Sequence, residues 1–236
     1  MKLGIMQPYF LPYLGYISLI KNTDEFILFD TVQFIRHGWI ERNRILKQTG
    51  GWQYIQIPLE KKQMSTVIKE VRINNKEKWK DKILAQLQHY KKIAPYYYKT
   101  IKILKTVFEK EYDSITELNK TLLEEICKYL EIETPIFIFS EMNLKIGEVN
   151  APDEWALEIC KAIGNVSEYW NPPGGLEFFN KTKYEKENIK IYFQKINLHN
   201  YDQRRESFEK GLSIIDVLMF NSPEEINKML DDYELL

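Results

Sequence analysis

The densest run of side chains capable of chemistry lies at residues 30–46, DTVQFIRHGWIERNRIL. A guanidinium forms paired hydrogen bonds with phosphate or carboxylate, an indole offers a flat stacking face, and a side-chain amide gives directional bonds. This mixture favours a nucleotide or a sugar nucleotide as ligand; the alternative is a solvated helix or turn around one buried tryptophan. The candidate residues of this run are Asp30, Gln33, Arg36, His37, Trp39, Arg42, Asn43 and Arg44.

Two members of the run are candidates for proton transfer. His37 carries an imidazole, whose ordinary pKa lies nearest to neutrality, and Asp30 carries a carboxylate directly after a predicted strand. Either side chain would serve as a general base in a reaction that removes a proton. We therefore name His37 and Asp30 as candidate catalytic residues and the other members of the run as candidate binding residues.

The opening segment, QPYFLPYLGY, lies between a short apolar run at 3–6 and a helix-like pattern that begins near Ile17. It therefore starts where the chain leaves the carboxyl edge of a sheet, which is where open α/β sheets bind ligands. The alternative is a stiff loop, fixed by two prolines and packed by tyrosines. The candidate binding residues here are Gln7, Tyr9, Tyr13, Gly15 and Tyr16.

A third candidate segment, SEYWNPPGGLEFF at 167–179, contains a Pro-Pro-Gly-Gly turn between aromatic side chains. Backbone N–H groups at Gly174 and Gly175 are free to approach a ligand, because glycine carries no side chain to cover them. The alternative is a plain turn. We expect the opening segment and the run at Asp30–Asn43 to face one common cleft, because each follows one of two neighbouring strands at the same sheet edge.

Hydrophobic patterning predicts strands that alternate with helices. Strands are expected at 3–6, 25–29, 52–58, 67–73, 136–139, 166–170 and 189–193. Helical spacing covers most of about 76–131, and further helices are expected at 152–164, around 212–219 and after Ser222. This order predicts an α/β fold with a mostly parallel sheet, in one domain over residues 1–236 with a helical insert at about 76–131.

Composition narrows the class of protein. A formal charge of −1 gives no global field that would recruit DNA, and no stretch approaches 18 apolar residues. The first residues lack a secretory signal, so a cytoplasmic protein without membrane insertion is expected. Cys127 and Cys160 lie within helical patterns and are expected in the core, with no metal site. The motifs of P-loop enzymes, dinucleotide enzymes, serine hydrolases and zinc proteins are absent.

At these segments the chain resembles the WbqC-like family of bacterial proteins. The resemblance is carried by MQPYFLPYLGYISLI, FDTVQFIRHGWIERNRI, EYWNPPGG and LSIIDVLMFNSPEE, and it is most specific at the opening. It implies a role in making surface polysaccharide, notably the O-antigen of lipopolysaccharide. It also implies a glycine transferase that decorates an amino sugar.

A more distant likeness is to the nucleotidylyl-transferase superfamily, especially pantothenate synthetases, in which an H-x-G-H motif opens a helix at the ATP site. Tyr13, Gly15 and Tyr16 stand where that motif has His, Gly and His. The histidines of that superfamily support the charge that develops on the transferred phosphate. Their absence argues against ATP as a cofactor here, while the likeness implies a sheet of the same type.

The first functional hypothesis is a transferase that acylates the amine of a nucleotide-linked amino sugar with glycine or another small amino acid. The donor would then be activated beforehand, as an aminoacyl-tRNA or a carrier thioester, because an amide does not form spontaneously from a free carboxylate in water. The alternative is a non-catalytic protein that binds a nucleotide sugar or a partner enzyme. The identity of the sugar and a homo-oligomeric state stay open at this point.

Overall fold

The computed structural model describes residues 1–236 and contains eight strands and eight helices. The strands are β1 Lys2–Met6, β2 Glu25–Leu28, β3 Arg42–Leu46, β4 Trp52–Gln56, β5 Ile136–Ile138, β6 Glu168–Asn171, β7 Lys190–Ile196 and β8 Tyr233–Leu235. The helices are α1 Leu14–Lys21, α2 Trp79–Gln86, α3 Tyr97–Phe108, α4 Ile115–Tyr129, α5 Glu154–Ile163, α6 Lys181–Lys186, α7 Ile214–Phe220 and α8 Pro223–Leu230.

Six strands form the central sheet in the order β5-β2-β1-β6-β7-β8. The first five are parallel, and β8 pairs antiparallel with β7. Numbered by their appearance within this sheet, the strands run 3-2-1-4-5-6, the doubly wound order that places a ligand crevice where the winding reverses. That reversal falls between β1 and β6. The predicted α/β class with a mostly parallel sheet is confirmed, and the arrangement is consistent with a nucleotidylyl-transferase-like fold.

Each face of the sheet packs on its own layer of helices. Leu3, Ile5 and Ile27 join Leu157 of α5 and Tyr184 of α6 in a 14-residue apolar cluster on one face. A cluster of 50 buried residues covers the other face and contains side chains from α1, α2, α3, α4, α7 and α8. The period of two along a strand sends alternate residues to the two layers, so the sheet separates two cores.

This packing requires the glycine of β1, Gly4. A Cβ atom there would come within 2.7 Å of the Phe26 ring on the neighbouring strand, well inside van der Waals contact. The Phe26 ring instead lies against the bare backbone of β1 and makes an edge-to-face contact with Tyr16 of α1. The glycine therefore brings β2 and α1 together beneath the opening segment.

The long connection between β2 and β5 supplies two further layers. Strands β3 and β4 form a separate antiparallel hairpin, with Asn43 opposite Ile55. The helices of residues 79–129 share the large core with α1 and α7. Asn119 of α4 donates to the carbonyl oxygens of Pro8 (2.8 Å) and Ile40 (2.9 Å), which ties this insert to the two predicted site segments. On this shared core we retain, as a proposal, one domain over residues 1–236.

Most predicted helices and strands are confirmed; one predicted strand is wrong, and two strands were not predicted. The strand predicted at 67–73 is wrong: residues 68–70 form one turn of 3₁₀ helix, and only isolated bridges flank it. Ile68 and Val71, three residues apart, both enter the large core, and the 3₁₀ turn packs against α4. Strands β3 and β8 were not predicted, because β3 carries charged residues and β8 is three residues at the chain end.

Candidate functional site

A cavity of about 900 Å³ opens at the carboxyl ends of β1 and β6, at the reversal of the sheet winding. Thirteen of its 23 lining residues are hydrophobic, so its walls are mostly apolar and aromatic. The lining comes from five parts of the chain: residues 5–13, 29–44, 152–156 and 169–179, and the pair Leu198 and Gly211. The opening segment, the run after β2 and the Pro-Pro-Gly-Gly turn therefore face one common cavity.

Most of the polar side chains that line this cavity have no hydrogen-bond partner within the protein. No hydrogen bond within the protein engages the side chains of Gln7, Tyr9, Tyr13, Tyr169 and Asn171, and all five line the cavity. Burial raises the pKa of Tyr9 and of Tyr13, and Tyr9 raises that of Tyr13 further. These phenols are therefore neutral at physiological pH, and each can donate and accept one hydrogen bond to a ligand.

Arg44 is the one charged side chain in the lining. Its guanidinium carbon lies 5.5 Å from the centre of the Trp39 ring and 5.2 Å from that of Trp52, so two indoles flank the charge. One terminal nitrogen donates to the Gly211 carbonyl oxygen at 3.0 Å, while Nε is buried and has no partner. A guanidinium held in this way retains donors for an anionic group of a ligand.

Hydrogen bonds to the opening segment fix the hairpin that carries Arg44. The Asn43 amide donates to the carbonyl oxygens of Phe10 (3.0 Å) and Leu11 (2.9 Å) and accepts from the Arg44 amide nitrogen. The Phe10 amide donates to the Trp39 carbonyl oxygen at 2.8 Å. Asn43 thus lines the cavity but uses its side chain to join two walls of it, and its role here is to position Arg44.

The two candidate catalytic residues do not line the cavity. Asp30 is buried, and its carboxylate accepts hydrogen bonds from the backbone N–H (3.0 Å) and the hydroxyl (2.7 Å) of Ser140. This pairing joins the ends of β2 and β5. His37 is exposed with φ +60°, and its backbone N–H donates to buried Glu41 at 2.8 Å. The structure therefore brings neither side chain to the cavity wall.

Three other members of the run after β2 also point elsewhere. Arg42 lies over the Tyr54 ring, 4.1 Å from its centre, and donates to the His37 carbonyl oxygen. Gln33 donates to the Met64 carbonyl oxygen at 2.7 Å, and Arg36 is exposed. None of the three lines the cavity.

The residues at the H-x-G-H position are organised by packing. A Cβ atom at Gly15 would come within 2.5 Å of the Tyr13 ring, so that ring lies directly over the first turn of α1. Tyr16 is buried, and its hydroxyl donates to the Gln7 carbonyl oxygen at 2.8 Å. Tyr13 therefore reaches the cavity, whereas Gly15 and Tyr16 support the opening segment from below.

Several lining residues were not singled out from the sequence. Asn171 ends β6, and a Cβ atom at Gly175 would come within 2.2 Å of its Nδ2; Gly174 faces open space. Aromatic walls come from Phe29, Trp155, Tyr169, Phe178 and Phe179. Asn171 could have been identified from the sequence, because it is the first polar residue after a predicted strand, the same signal that identified Gln7. Trp155 could not have been identified in this way, because helical spacing alone does not indicate which apolar side chain faces a cavity.

No group of three or more His, Cys, Asp or Glu side chains is arranged to hold a metal ion. Both cysteines are buried, and burial raises the pKa of each thiol to about 12. None of the helices combines the length and the apolar character that crossing a membrane requires.

Comparison with known proteins identifies the family. The sequence profile of the WbqC-like protein family matches residues 7–228. The chain belongs to this family. Among curated proteins, this WbqC-like chain is similar to the Uncharacterized protein Rv1507c of Mycobacterium tuberculosis, with 28% identity over 223 residues that cover 93% of each chain. No solved structure gives a significant match. The matched range includes every cavity-lining residue except Ile5 and Met6.

Proposed function

We propose that this WbqC-like protein binds a nucleotide-linked amino sugar in the cavity and acylates the sugar amine during bacterial surface-polysaccharide synthesis, for example of O-antigen. The acyl group is glycine or another small amino acid. It arrives already activated, as an aminoacyl-tRNA or a carrier thioester. The observation that carries the proposal is the cavity at the winding reversal of the sheet, with unpartnered polar side chains and one arginine in an aromatic wall.

Position and size support a nucleotide-linked ligand. Doubly wound sheets bind nucleotides outside the carboxyl ends of their strands at the winding reversal, where this cavity lies. Its volume of about 900 Å³ is near the upper end of the usual range for small-molecule sites. A nucleotide joined to a sugar has the corresponding length and shape.

The chemistry of the wall supports the same class of ligand. Aromatic rings offer flat apolar faces to a base or to the C–H face of a sugar. Amide and phenol groups at Gln7, Asn171, Tyr9 and Tyr13 pair with groups that both donate and accept, as hydroxyls do. Arg44, the single cation, is placed to bind a phosphate oxygen. We therefore assign Arg44 and Trp39 to the nucleotide end and retain Gly174 as a backbone contact, whereas the N–H and carbonyl groups of Gly175 are engaged within its own turn.

Transfer from a thioester requires little from the protein beyond orientation. The amine nitrogen forms the new C–N bond, the C–S bond breaks, and the amine proton neutralises the departing thiolate. An amine with an ordinary pKa of about 8 is roughly one-tenth neutral at pH 7, so a protein base is not obligatory. This fits a lining without a carboxylate or imidazole. The candidate residues outside the cavity lining, Asp30, His37, Gln33, Arg36 and Arg42, enter the reaction only if the surrounding loops move.

The same lining supports a second candidate function. A cavity whose ionisable groups are Arg44 and three phenols, those of Tyr9, Tyr13 and Tyr169, has no side chain suited to acid–base catalysis near neutral pH. A protein that binds a nucleotide-linked sugar without converting it would have such a wall. The two candidates share the binding step and differ in turnover, so one assay separates them.

The assay supplies the protein with UDP-glucosamine and one of two donors, and mass spectrometry detects the glycyl product. With a glycyl thioester of N-acetylcysteamine we expect one glycyl group on the sugar amine. With ATP, magnesium and free glycine we expect neither product nor amino-acid-dependent pyrophosphate exchange. The reason is that the Tyr13 ring covers the start of α1 and no histidine is present there to support a charged phosphate.

Two assay results would contradict the proposed transfer from a pre-activated donor. Exchange with ATP would show that Arg44 or the tyrosines can replace the histidines, and the pre-activated donor would be unnecessary. Binding of the nucleotide sugar without product from the thioester or from glycyl-tRNA would favour the non-catalytic protein. A heat-unfolded sample is the control for spontaneous transfer from the thioester.

A further inference from the structure

Asn171, the last residue of β6, differs from the other buried asparagines of the protein. It is 8% exposed, yet its amide makes no hydrogen bond within the protein. The other three are all engaged: Asn43 bonds to Phe10 and Leu11, Asn119 to Pro8 and Ile40, and Asn221 to Val217. Its amide is not fully enclosed, because the side chain lines the cavity.

The Asn171 amide gains no hydrogen bond within the protein, so it contributes no polar contact to the stability of the fold. At this position an apolar side chain of the same size would pack well, because the surrounding wall is aromatic, with the Phe179 ring next to the amide. The unsatisfied donors and acceptor are therefore available for a group that enters the cavity. Gln7, which follows the adjacent strand β1, presents a second free amide to the same space.

The turn after Asn171 is shaped around the amide. A Cβ atom at Gly175 would lie 2.2 Å from Nδ2 of Asn171 and 2.8 Å from the Phe179 ring, so a larger residue would displace the amide or the ring. The turn is closed by the Gly175 amide, which donates to the Pro172 carbonyl oxygen at 3.1 Å. Gly175 thus allows the amide to remain in the wall of the cavity.

We infer that Asn171 is a specificity-determining residue that, with Gln7, binds the hydroxyl groups of the sugar ring of the ligand. The inference rests on the proposed function for its nucleotide-linked ligand. Two neutral amides match a neutral group that both donates and accepts, whereas a phosphate would favour the cationic wall at Arg44. The aromatic side chains beside Asn171 offer the apolar face that the C–H side of a sugar ring requires.

The test compares Asn171→Leu with Asn221→Leu, a matched change at a buried asparagine outside the cavity. Thermal unfolding of the free proteins comes first. Asn171→Leu should leave the melting temperature unchanged or raise it, because no internal hydrogen bond is lost. Asn221→Leu should lower it by roughly 2 to 4 °C, because the bond to Val217 is lost. Strong destabilisation by Asn171→Leu would show a structural role and overturn the inference.

Calorimetry then measures the affinity of wild type and Asn171→Leu for UDP-glucosamine and for UDP. We expect the variant to bind UDP-glucosamine roughly ten- to a hundredfold more weakly and UDP nearly unchanged. Equal affinity of both proteins for UDP-glucosamine would overturn the role of Asn171 and leave the proposed function intact. An equal loss of UDP affinity would place Asn171 at the nucleotide and also overturn it.

A third probe separates failure of the inference from failure of the proposed function. Methyl glucoside, which carries no nucleotide, is titrated into ¹⁵N-labelled protein, and the side-chain amide signal of Asn171 is followed. If neither nucleotide probe binds wild type but this signal shifts with the glucoside, the inference holds and the nucleotide-linked ligand is wrong. If no probe binds wild type, both are wrong.

Discussion

Asp216→Ala is expected to lower the free energy of unfolding by about 3 to 5 kcal/mol. The Asp216 carboxylate is fully buried and accepts from the hydroxyls of Tyr90 (2.6 Å) and Tyr201 (2.6 Å) and from the Gln203 amide (2.8 Å). Removal leaves these donors unsatisfied in the core. Tyr90 also accepts from the Leu46 amide of β3, so the loss loosens the hairpin that carries Arg44. Denaturant unfolding measures the effect.

The contribution of Asp216 to stability should depend on pH. Burial raises the pKa of Asp216, so the folded state holds its proton more tightly than the unfolded state does. Its contribution to stability is therefore greatest below the unfolded pKa and is lost as pH rises through the folded pKa. Asp216→Asn does not titrate there, so its deficit relative to wild type should shrink from about pH 4 to pH 7. A deficit that grows over this range would contradict the raised pKa.

Arg44→Ala is expected to weaken binding of UDP-glucosamine by about 1.5 to 3 kcal/mol, roughly ten- to a hundredfold. Arg42 on the same strand is the matched control, because it carries the same charge two residues away but lies on Tyr54 outside the cavity. Arg42→Ala should change affinity by less than about threefold, because Arg42 makes no contact with the cavity and its charge acts on the ligand only at a distance. Calorimetry on both folded variants measures the difference.

A larger loss of affinity from Arg42→Ala than from Arg44→Ala would place the ligand elsewhere. If Arg42→Ala weakens binding and Arg44→Ala does not, the ligand lies at the start of β3, near His37 and Arg36, as the polar run at 30–44 first indicated. The cavity would then not be the binding site. Equal losses from both variants would indicate general attraction of an anion, and that component should decrease with added salt.

The sequence predicted five of the six strands of the central sheet, and it missed the edge strand β8. Apolar runs such as Leu3–Met6 predict buried strands because a parallel strand covered on both faces is apolar throughout. The pattern cannot distinguish pairing from packing, and for that reason 67–73 was predicted as a strand although it only lies on α4. Strand β3 was missed for the converse reason, since its Arg-Asn-Arg sequence pairs in a hairpin that is polar on one side.

The sequence indicated some of the residues that line the cavity, and which other side chains face it depends on long-range packing. Position after a strand identified Gln7, Tyr9 and Tyr13, and those side chains line the cavity. The same rule, together with residue type, also identified Asp30, but the hydroxyl and amide of Ser140, 110 positions away, already engage its carboxylate. Such long-range partners leave no local signal. The strand-end rule would have found Asn171, whereas a list of chemically reactive residue types does not.

A structure of the protein with UDP-glucosamine, obtained by crystallography after co-crystallisation, tests most directly the claim that the cavity is the binding site. We expect the sugar between Gln7 and Asn171 at the ends of β1 and β6, and a phosphate oxygen within hydrogen-bond distance of Arg44. Ligand bound elsewhere, for example on the exposed face around Arg36 and His37 with the cavity empty, would contradict the claim.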